Sequence, residues 1–137
     1  MDTLAFPQSP VPTPYEGAPN RRPTTAWYAR HAVERQLGRW GLTAASERAA
    51  VLLIVSELVT NACRHSDGLC GLRTSWHDHV VTIEVDDSGQ QDPAIVPPTR
   101  RGAAGGYGMD LVDSLSESWG VRHRLDGKTV FARVPFP

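Results

Sequence analysis

Apolar positions follow a helical period over the first half of the chain, beginning near Thr24. Gly41 closes the first of these segments, whose apolar residues are Ala26, Ala29, Val33, Leu37 and Trp40. Thr43 is placed to cap a second helix that runs to about Arg64. The second segment is apolar on nearly all sides, which predicts a helix that is buried on more than one face.

After the second predicted helix, the helical period gives way to the alternation typical of strands. The predicted elements that follow are two strands, a long loop, a short helix and the two strands of a hairpin, over residues 69–76, 80–86, 87–107, 108–115, 119–124 and 129–134. The hairpin turn is expected at Asp126 and Gly127. This order predicts an α+β fold, a two-layer α/β sandwich with helices on one face of a mixed, mainly antiparallel sheet.

The first 23 residues differ in composition from the rest of the chain. They contain six of its eleven prolines, and proline does not fit inside a helix or a central strand. Residues 1–23 are therefore predicted to form a disordered proline-rich tail, and residues 24–137 are predicted to form a single domain.

Charge and hydropathy narrow the class of protein. The chain has 14 basic and 15 acidic residues and a net charge of −1, without the basic excess that nucleic-acid binders usually show. It begins without a signal-peptide pattern and has no apolar run long enough to cross a membrane. We therefore expect a soluble cytoplasmic protein that does not bind nucleic acid directly or associate with a membrane.

A polar stripe interrupts the apolar second helix. Glu57 and Asn61 are four residues apart and share one helix face, and a carboxylate among apolar neighbours is costly unless it has a partner. One interpretation places both side chains at a solvent-facing edge, or has Asn61 cap a neighbouring turn. The other makes the Asn61 side-chain oxygen a ligand of Mg²⁺ on a nucleotide, with Glu57 orienting or deprotonating an attacking hydroxyl.

Acidic and small residues end the second predicted strand. Asp87 and Gly89 are typical of an ordinary turn. They also fit a base-binding role, in which Asp87 accepts a hydrogen bond from an adenine amino group and Gly89 lets the backbone approach the flat base.

Glycines crowd the chain just ahead of the third predicted helix, at Gly102, Gly105, Gly106 and Gly108. Such a segment is either a flexible surface loop or a phosphate site at a helix N-terminus. Arg100 and Arg101 are either solvated or placed to neutralise phosphate charge. A Rossmann loop is excluded because no strand directly precedes these glycines, and a Walker loop at residues 127–129 is excluded because a strand follows it.

Together and in this order, these motifs resemble those of the gyrase, histidine kinase and mismatch-repair (GHKL) ATPases. Glu57-Leu-Val-Thr-Asn61-Ala resembles their N box, Asp87-Ser-Gly89 their first glycine box, and Gly106-Tyr-Gly108-Met-Asp-Leu-Val their second. The closing segments Trp119-Gly-Val and Gly127-Lys-Thr129-Val-Phe are similar to the hairpin of the short anti-sigma-factor serine kinases and their actinobacterial relatives. The resemblance runs from about Thr24 to Val134.

The resemblance implies a Bergerat-type ATP pocket between helices and sheet, with ATP and Mg²⁺ as cofactors. It implies a role for each matching residue: Glu57 as catalytic base, Asn61 as magnesium ligand, Asp87 as adenine reader, Gly106 and Gly108 at the phosphates, and Thr129 on the base side. In one departure, Gln91 stands where the family usually has a second glycine, which reduces backbone freedom near the base.

Three functions fit this resemblance. The first is a serine/threonine kinase that phosphorylates an antagonist protein and also sequesters a sigma factor. The second is an ATP-binding module that regulates by sequestration without turnover, and the third is a scaffold that binds no nucleotide. The resemblance also implies a homodimer. The sequence names neither the sigma factor nor the antagonist.

Overall fold

The structure is a computed structural model, and it describes residues 3–6, 25–65, 70–89, 93 and 108–137. Three helices lie in this part of the chain: α1 (Thr25–Arg39), α2 (Ala45–His65) and α3 (Gly108–Leu115). Five strands form one sheet: β1 (Thr3–Phe6), β2 (Cys70–His77), β3 (Val80–Asp87), β4 (Ser118–Arg124) and β5 (Gly127–Pro135). The spatial order is β1-β2-β3-β5-β4, and each of these neighbouring pairs is antiparallel.

The predicted α+β architecture is confirmed. Helix α2 packs on α1 and α3 and on the central strands β3 and β5. Along β3, Val81, Ile83 and Val85 are buried while the residues between them are only partly buried. This alternation places the apolar core between the helices and one face of the sheet, because successive strand residues point to opposite faces.

The end of α1 follows the glycine signal in the sequence. Gly41 has a φ of 72°, the left-handed conformation that glycine adopts without strain. Its N–H donates to the Gly38 carbonyl, and the Leu42 N–H donates to the Leu37 carbonyl. These two bonds form a Schellman motif. Leu37 is buried and Leu42 packs on the same core, so the motif directs the chain from α1 into α2.

Helix α2 begins slightly later than the sequence indicated. The Ala44 carbonyl accepts the first helical hydrogen bond, from the Arg48 N–H, so Ala44 occupies the cap position and the predicted cap, Thr43, lies one residue before it. The Arg48 guanidinium also donates to the Leu42 carbonyl at 2.8 Å. The connection between α1 and α2 is therefore held by backbone bonds and an arginine instead of a capping hydroxyl.

Two hairpins build most of the sheet. Asp78 and His79 form the two-residue turn between β2 and β3 with φ values of 49° and 62°, which matches the twist that favours primed turns. In the second hairpin, Arg124 pairs with Gly127, so Leu125 and Asp126 are the turn residues. The predicted turn at Asp126 and Gly127 is thus one residue too late, and Gly127 is the first residue of β5.

The prediction of a tail over residues 1–23 is wrong for Thr3–Phe6. This segment forms strand β1 along β2, with Thr3 opposite Ser75 and Phe6 opposite Leu72. Residues 7–23 lie outside the described residues. Within the described part of the chain, no helix combines the length and apolar character needed to cross a membrane.

Replacing Gly127 should be costly. A Cβ at this position would lie 2.0 Å from the Asp87 carbonyl oxygen, and its φ is 150°. We expect Gly127→Ala to lower the free energy of unfolding by about 3 kcal/mol or more, because it adds a clash with backbone to conformational strain. Urea denaturation measures this change.

The matched control is Gly38→Ala. Gly38 lies in α1, where a Cβ would meet nothing within 4 Å. Alanine favours a helix over glycine by roughly 0.5–1 kcal/mol, so this variant should be as stable as the original chain or more stable. Equal losses in the two variants would contradict the close approach of Gly127 to Asp87.

Candidate functional site

The candidate site begins with the polar stripe on α2. Glu57 and Asn61 are one helical turn apart, and both are half-buried. On the helical wheel, Asn61 falls between Ala50 and Ile54, which are both buried. Neither Glu57 nor Asn61 has a hydrogen-bond partner within the described part of the chain. A carboxylate and an amide on a largely packed helix are therefore available to a ligand.

Chain connectivity ties this end of α2 to the strand end that carries Asp87. His65 ends α2, and β2 begins five residues later at Cys70, a step that reaches at most about 18 Å. Cys70 is the register partner of Asp87. Asp87 belongs to the buried set of β3, so its side chain lies on the same sheet face as α2. The helix stripe and Asp87 thus lie on one side of the sheet.

Asp87 is held by a buried ion pair with Lys128. The Lys128 ammonium donates to Asp87 Oδ1 at 2.9 Å and to the Gly89 carbonyl at 3.2 Å. The Gly89 N–H donates to the same Oδ1 at 2.7 Å. The side chains of Asp87 and Lys128 are only 3% and 4% exposed. The pair therefore joins β5 to the end of β3 and fixes the backbone that follows Asp87.

Lys128 is the site residue that the sequence analysis missed. It is the sole lysine of the chain, and lysine is almost never fully buried unless it is paired. Its carboxylate partner is 41 residues away, so only the register of β3 on β5 brings them together. The useful signal was the alternation in β5, which places Lys128 and Thr129 on opposite faces.

Thr129 lies on the sheet face opposite Asp87. It pairs in register with Asp86, and its hydroxyl donates to Asp86 Oδ1 at 2.6 Å. Asp86 also accepts hydrogen bonds from Arg73 and Arg124, each at 3.1 Å. The structure therefore places Thr129 in a network of charged side chains on the face away from the helices, and does not bring it to Asp87.

The carboxylates of this network are held in the ionised form. Partial burial acts to raise the pKa of Asp86, but hydrogen bonds from Arg73 and others outweigh it and lower that pKa. Burial likewise acts to raise the pKa of Glu84, and hydrogen bonds from Arg122 and Arg73 lower it below its ordinary value. The pKa of Arg73 is raised by its hydrogen bond to Asp86, against an opposing effect of burial.

The structure describes some of the remaining predicted site residues and not others. Gly89 lies directly after β3, bonded to Asp87 and Lys128. Gly108 begins α3, as predicted. Gly106, Arg100 and Arg101 lie outside the described residues, as does Gln91.

The described residues include no group of three or more His, Cys, Asp and Glu side chains that could hold a metal ion. A divalent ion bound by phosphates, water and one amide does not require such a group, since Mg²⁺ usually keeps several waters.

A family model for the histidine kinase-like ATPase domain matches residues 20–134. The chain belongs to this family. The N-box and first glycine-box residues identified in the sequence lie within the matched range, and so does Lys128. No curated protein matches the ATPase domain significantly.

Solved structures share the fold of the ATPase domain. One contains the RsbU and RsbW domains of Rv1364c from Mycobacterium tuberculosis, with a TM-score of 0.67 and 18% identity over 99% of this chain. This chain spans 32% of that one. Another is the histidine kinase domain of the blue-light activated histidine kinase EL346 from Erythrobacter litoralis. Its TM-score is 0.52, with 21% identity over 81% of this chain and 60% of the other.

ATP is the ligand that membership in an ATPase family implies, and the described residues fit it. Asp87 Oδ2 has no hydrogen-bond partner in the described ranges, so one carboxylate oxygen remains to accept from a base. The unpartnered amide oxygen of Asn61 suits a hard divalent cation.

Breaking the buried pair from one side should be strongly destabilising. In Asp87→Asn, the Lys128 ammonium stays buried without its counter-charge, and we expect the free energy of unfolding to fall by about 3–5 kcal/mol. Combining the change with Lys128→Met removes both charges and should recover much of this loss. Chemical denaturation of the single and double variants measures the coupling. Full stability in Asp87→Asn would contradict the pairing.

Lowering the pH should destabilise the protein through the charged network of Asp86 and Glu84 on the sheet face away from the helices. Asp86 and Glu84 have lowered pKa values in the folded state, so the unfolded chain binds more protons in the acidic range and stability is lost as pH falls. Unfolding free energies should decrease progressively below about pH 5.

Urea denaturation at a series of pH values tests whether Asp86 causes this acid sensitivity. Asp86→Asn should flatten the acid dependence, whereas Asp126→Asn should leave it unchanged because the Asp126 side chain is 85% exposed. An unaltered pH dependence in Asp86→Asn would show that the acid sensitivity arises elsewhere.

Proposed function

We propose that this protein is an ATP-binding regulator of the anti-sigma-factor type. It transfers a phosphoryl group from Mg-ATP to a serine or threonine of an antagonist protein, and it sequesters a sigma factor. Two observations together support the proposal. The chain matches an ATPase family. Glu57 and Asn61 are also half-buried without hydrogen-bond partners among the described residues, on the sheet side that carries Asp87. The sequence resemblance to anti-sigma-factor serine kinases supplies the regulatory part of the proposal.

In this proposal each side chain has a separate task. Asp87 accepts a hydrogen bond from the adenine amino group, and Asn61 holds Mg²⁺ through its amide oxygen. Glu57 orients the hydroxyl of the incoming serine and accepts its proton. When bound, Mg-ATP supplies the phosphoryl group, with the ion neutralising phosphate charge. By resemblance, Gly106 and Gly108 face the phosphates, and the positive charges of Arg100 and Arg101 neutralise phosphate charge.

The location of Glu57 supports its role as a base instead of a nucleotide anchor. It lies one turn before Asn61 on the same stripe, so a hydroxyl approaching a phosphate near Asn61 would also approach Glu57. Phosphoryl transfer depends mainly on alignment and charge stabilisation, and a positioned base adds a further factor of about 10²–10⁴. The proposed partners imply a cytoplasmic location, and the family resemblance implies that the protein forms a homodimer.

Replacing Glu57 tests the catalytic part of the proposal. We expect Glu57→Ala to abolish transfer of labelled phosphate to the antagonist while preserving nucleotide binding, because the carboxylate contacts the hydroxyl and not ATP. Glu34→Ala, at an exposed position on α1, is the matched control and should retain both activities. Binding is measured as a thermal shift, since ligand at 100 times its Kd adds about 2.7 kcal/mol of stability.

The outcomes separate the candidate functions. If Glu57→Ala loses transfer and binding together, Glu57 is structural. If the unaltered protein binds Mg-ATP but labels no antagonist, it is a binding module that acts by sequestration. If Mg-ATP produces no shift in the unaltered protein, the ATP-dependent proposal fails entirely.

A further inference from the structure

The buried pair leaves one hydrogen-bonding position open on each partner. Both donors to Asp87, the Gly89 N–H and the Lys128 ammonium, bond to Oδ1, and Oδ2 has no partner among the described residues. A lysine ammonium has three N–H donors. Two of them are used, toward Asp87 and the Gly89 carbonyl. One donor and one acceptor therefore remain on neighbouring groups.

An open donor on a buried ammonium requires an explanation. Lys128 is 4% exposed at its side chain, so water does not readily satisfy its third N–H, and leaving a buried charged donor unpaired is costly. No further acceptor for Lys128 occurs in the part of the chain that the structure describes. A bound ligand with an acceptor beside a donor would satisfy both open positions at once.

We propose that Lys128 is a base-reading residue of the nucleotide site, acting together with Asp87. The Watson–Crick edge of adenine presents the 6-amino donor next to the ring acceptor N1, and proteins read flipped bases along this edge. Asp87 Oδ2 accepts from the amino group, and the third N–H of Lys128 donates to N1. This assignment rests on the proposed binding of ATP and names the residue that distinguishes adenine from a base without an acceptor at N1.

The neighbouring residues explain why Lys128 carries this role. Thr129 is turned to the opposite sheet face and hydrogen-bonded to Asp86, so its hydroxyl is directed away from Asp87. The Gly127 backbone approaches Asp87 so closely that no side chain fits there. Of these three consecutive residues, Lys128 is the one whose side chain contacts Asp87.

Binding of ATP and 1-deaza-ATP to the full chain tests this inference directly. The analogue keeps the 6-amino group and all three phosphates but has a C–H in place of N1. Loss of a hydrogen bond to a charged donor should weaken its binding about 10- to 100-fold relative to ATP. In Lys128→Met the two nucleotides should bind equally well, because the donor is absent.

The unaltered protein supplies a readout that does not depend on a variant folding. Since Lys128 is the sole lysine, ¹⁵N-lysine labelling gives a single side-chain ammonium signal. That signal should shift on adding ATP, and should shift much less with 1-deaza-ATP at matched saturation.

Equal affinity of the unaltered protein for ATP and 1-deaza-ATP would overturn the role of Lys128 while leaving ATP binding intact. Discrimination that persists in folded Lys128→Met would overturn it as well. If neither nucleotide binds the unaltered protein, the proposed function itself fails.

Discussion

The buried ion pair between Asp87 and Lys128 fixes the end of the sheet at which the candidate site lies. The pair joins β3 to β5 through the two side chains, and the Lys128 ammonium also donates to the Gly89 carbonyl. A buried charge is tolerated only when it is paired and hydrogen-bonded, so the pair constrains the exit of the chain from β3. The close approach of Gly127 to the Asp87 backbone adds a steric constraint at the same place.

The two faces of the sheet serve different purposes because successive side chains along β3 and β5 point to opposite faces. Toward the helices, apolar residues form the core and end at Asp87 and Lys128. On the other face, Arg73, Glu84 and Asp86 form charged networks that are partly solvated. Exposed ion pairs contribute little individually. The nearly dry pair on the helix side is therefore the stronger determinant of local geometry.

Much of this arrangement could be predicted from local patterns. The helical period and Gly41 gave the end of α1, and period-two alternation identified β3 with its buried face. The turn at Leu125 and Asp126 was misplaced by one residue because an Asp-Gly pair is a strong hairpin signal, whereas Gly127 serves here as a point of close backbone approach. Strand β1 was missed because four residues followed directly by Pro7 carry too little pattern.

The residues of the candidate site also divide into those that local patterns predicted and those that they did not. Glu57 and Asn61 were identified because they are polar residues within an apolar helix, and Asp87 because it ends an apolar strand just before Gly89. The alternation in β5 separates the sheet faces of Lys128 and Thr129, but the pairing of Lys128 with Asp87 could not be predicted, because it depends on a register that joins residues far apart in sequence. Thr129 was assigned to the base side by resemblance alone, and the pleat of β5 instead directs it toward Asp86.

Strand β4 forms one border of the sheet, and its composition bears on how copies of the chain can associate. An uncovered border strand exposes unpaired backbone groups to which another molecule's strand can add. Arg122, His123 and Arg124 are exposed along β4, and the ring of Phe131 lies against Gly120. Adding a strand here would crowd like charges from two molecules. Edge-to-edge extension through β4 is therefore disfavoured, which protects this border against uncontrolled polymerisation.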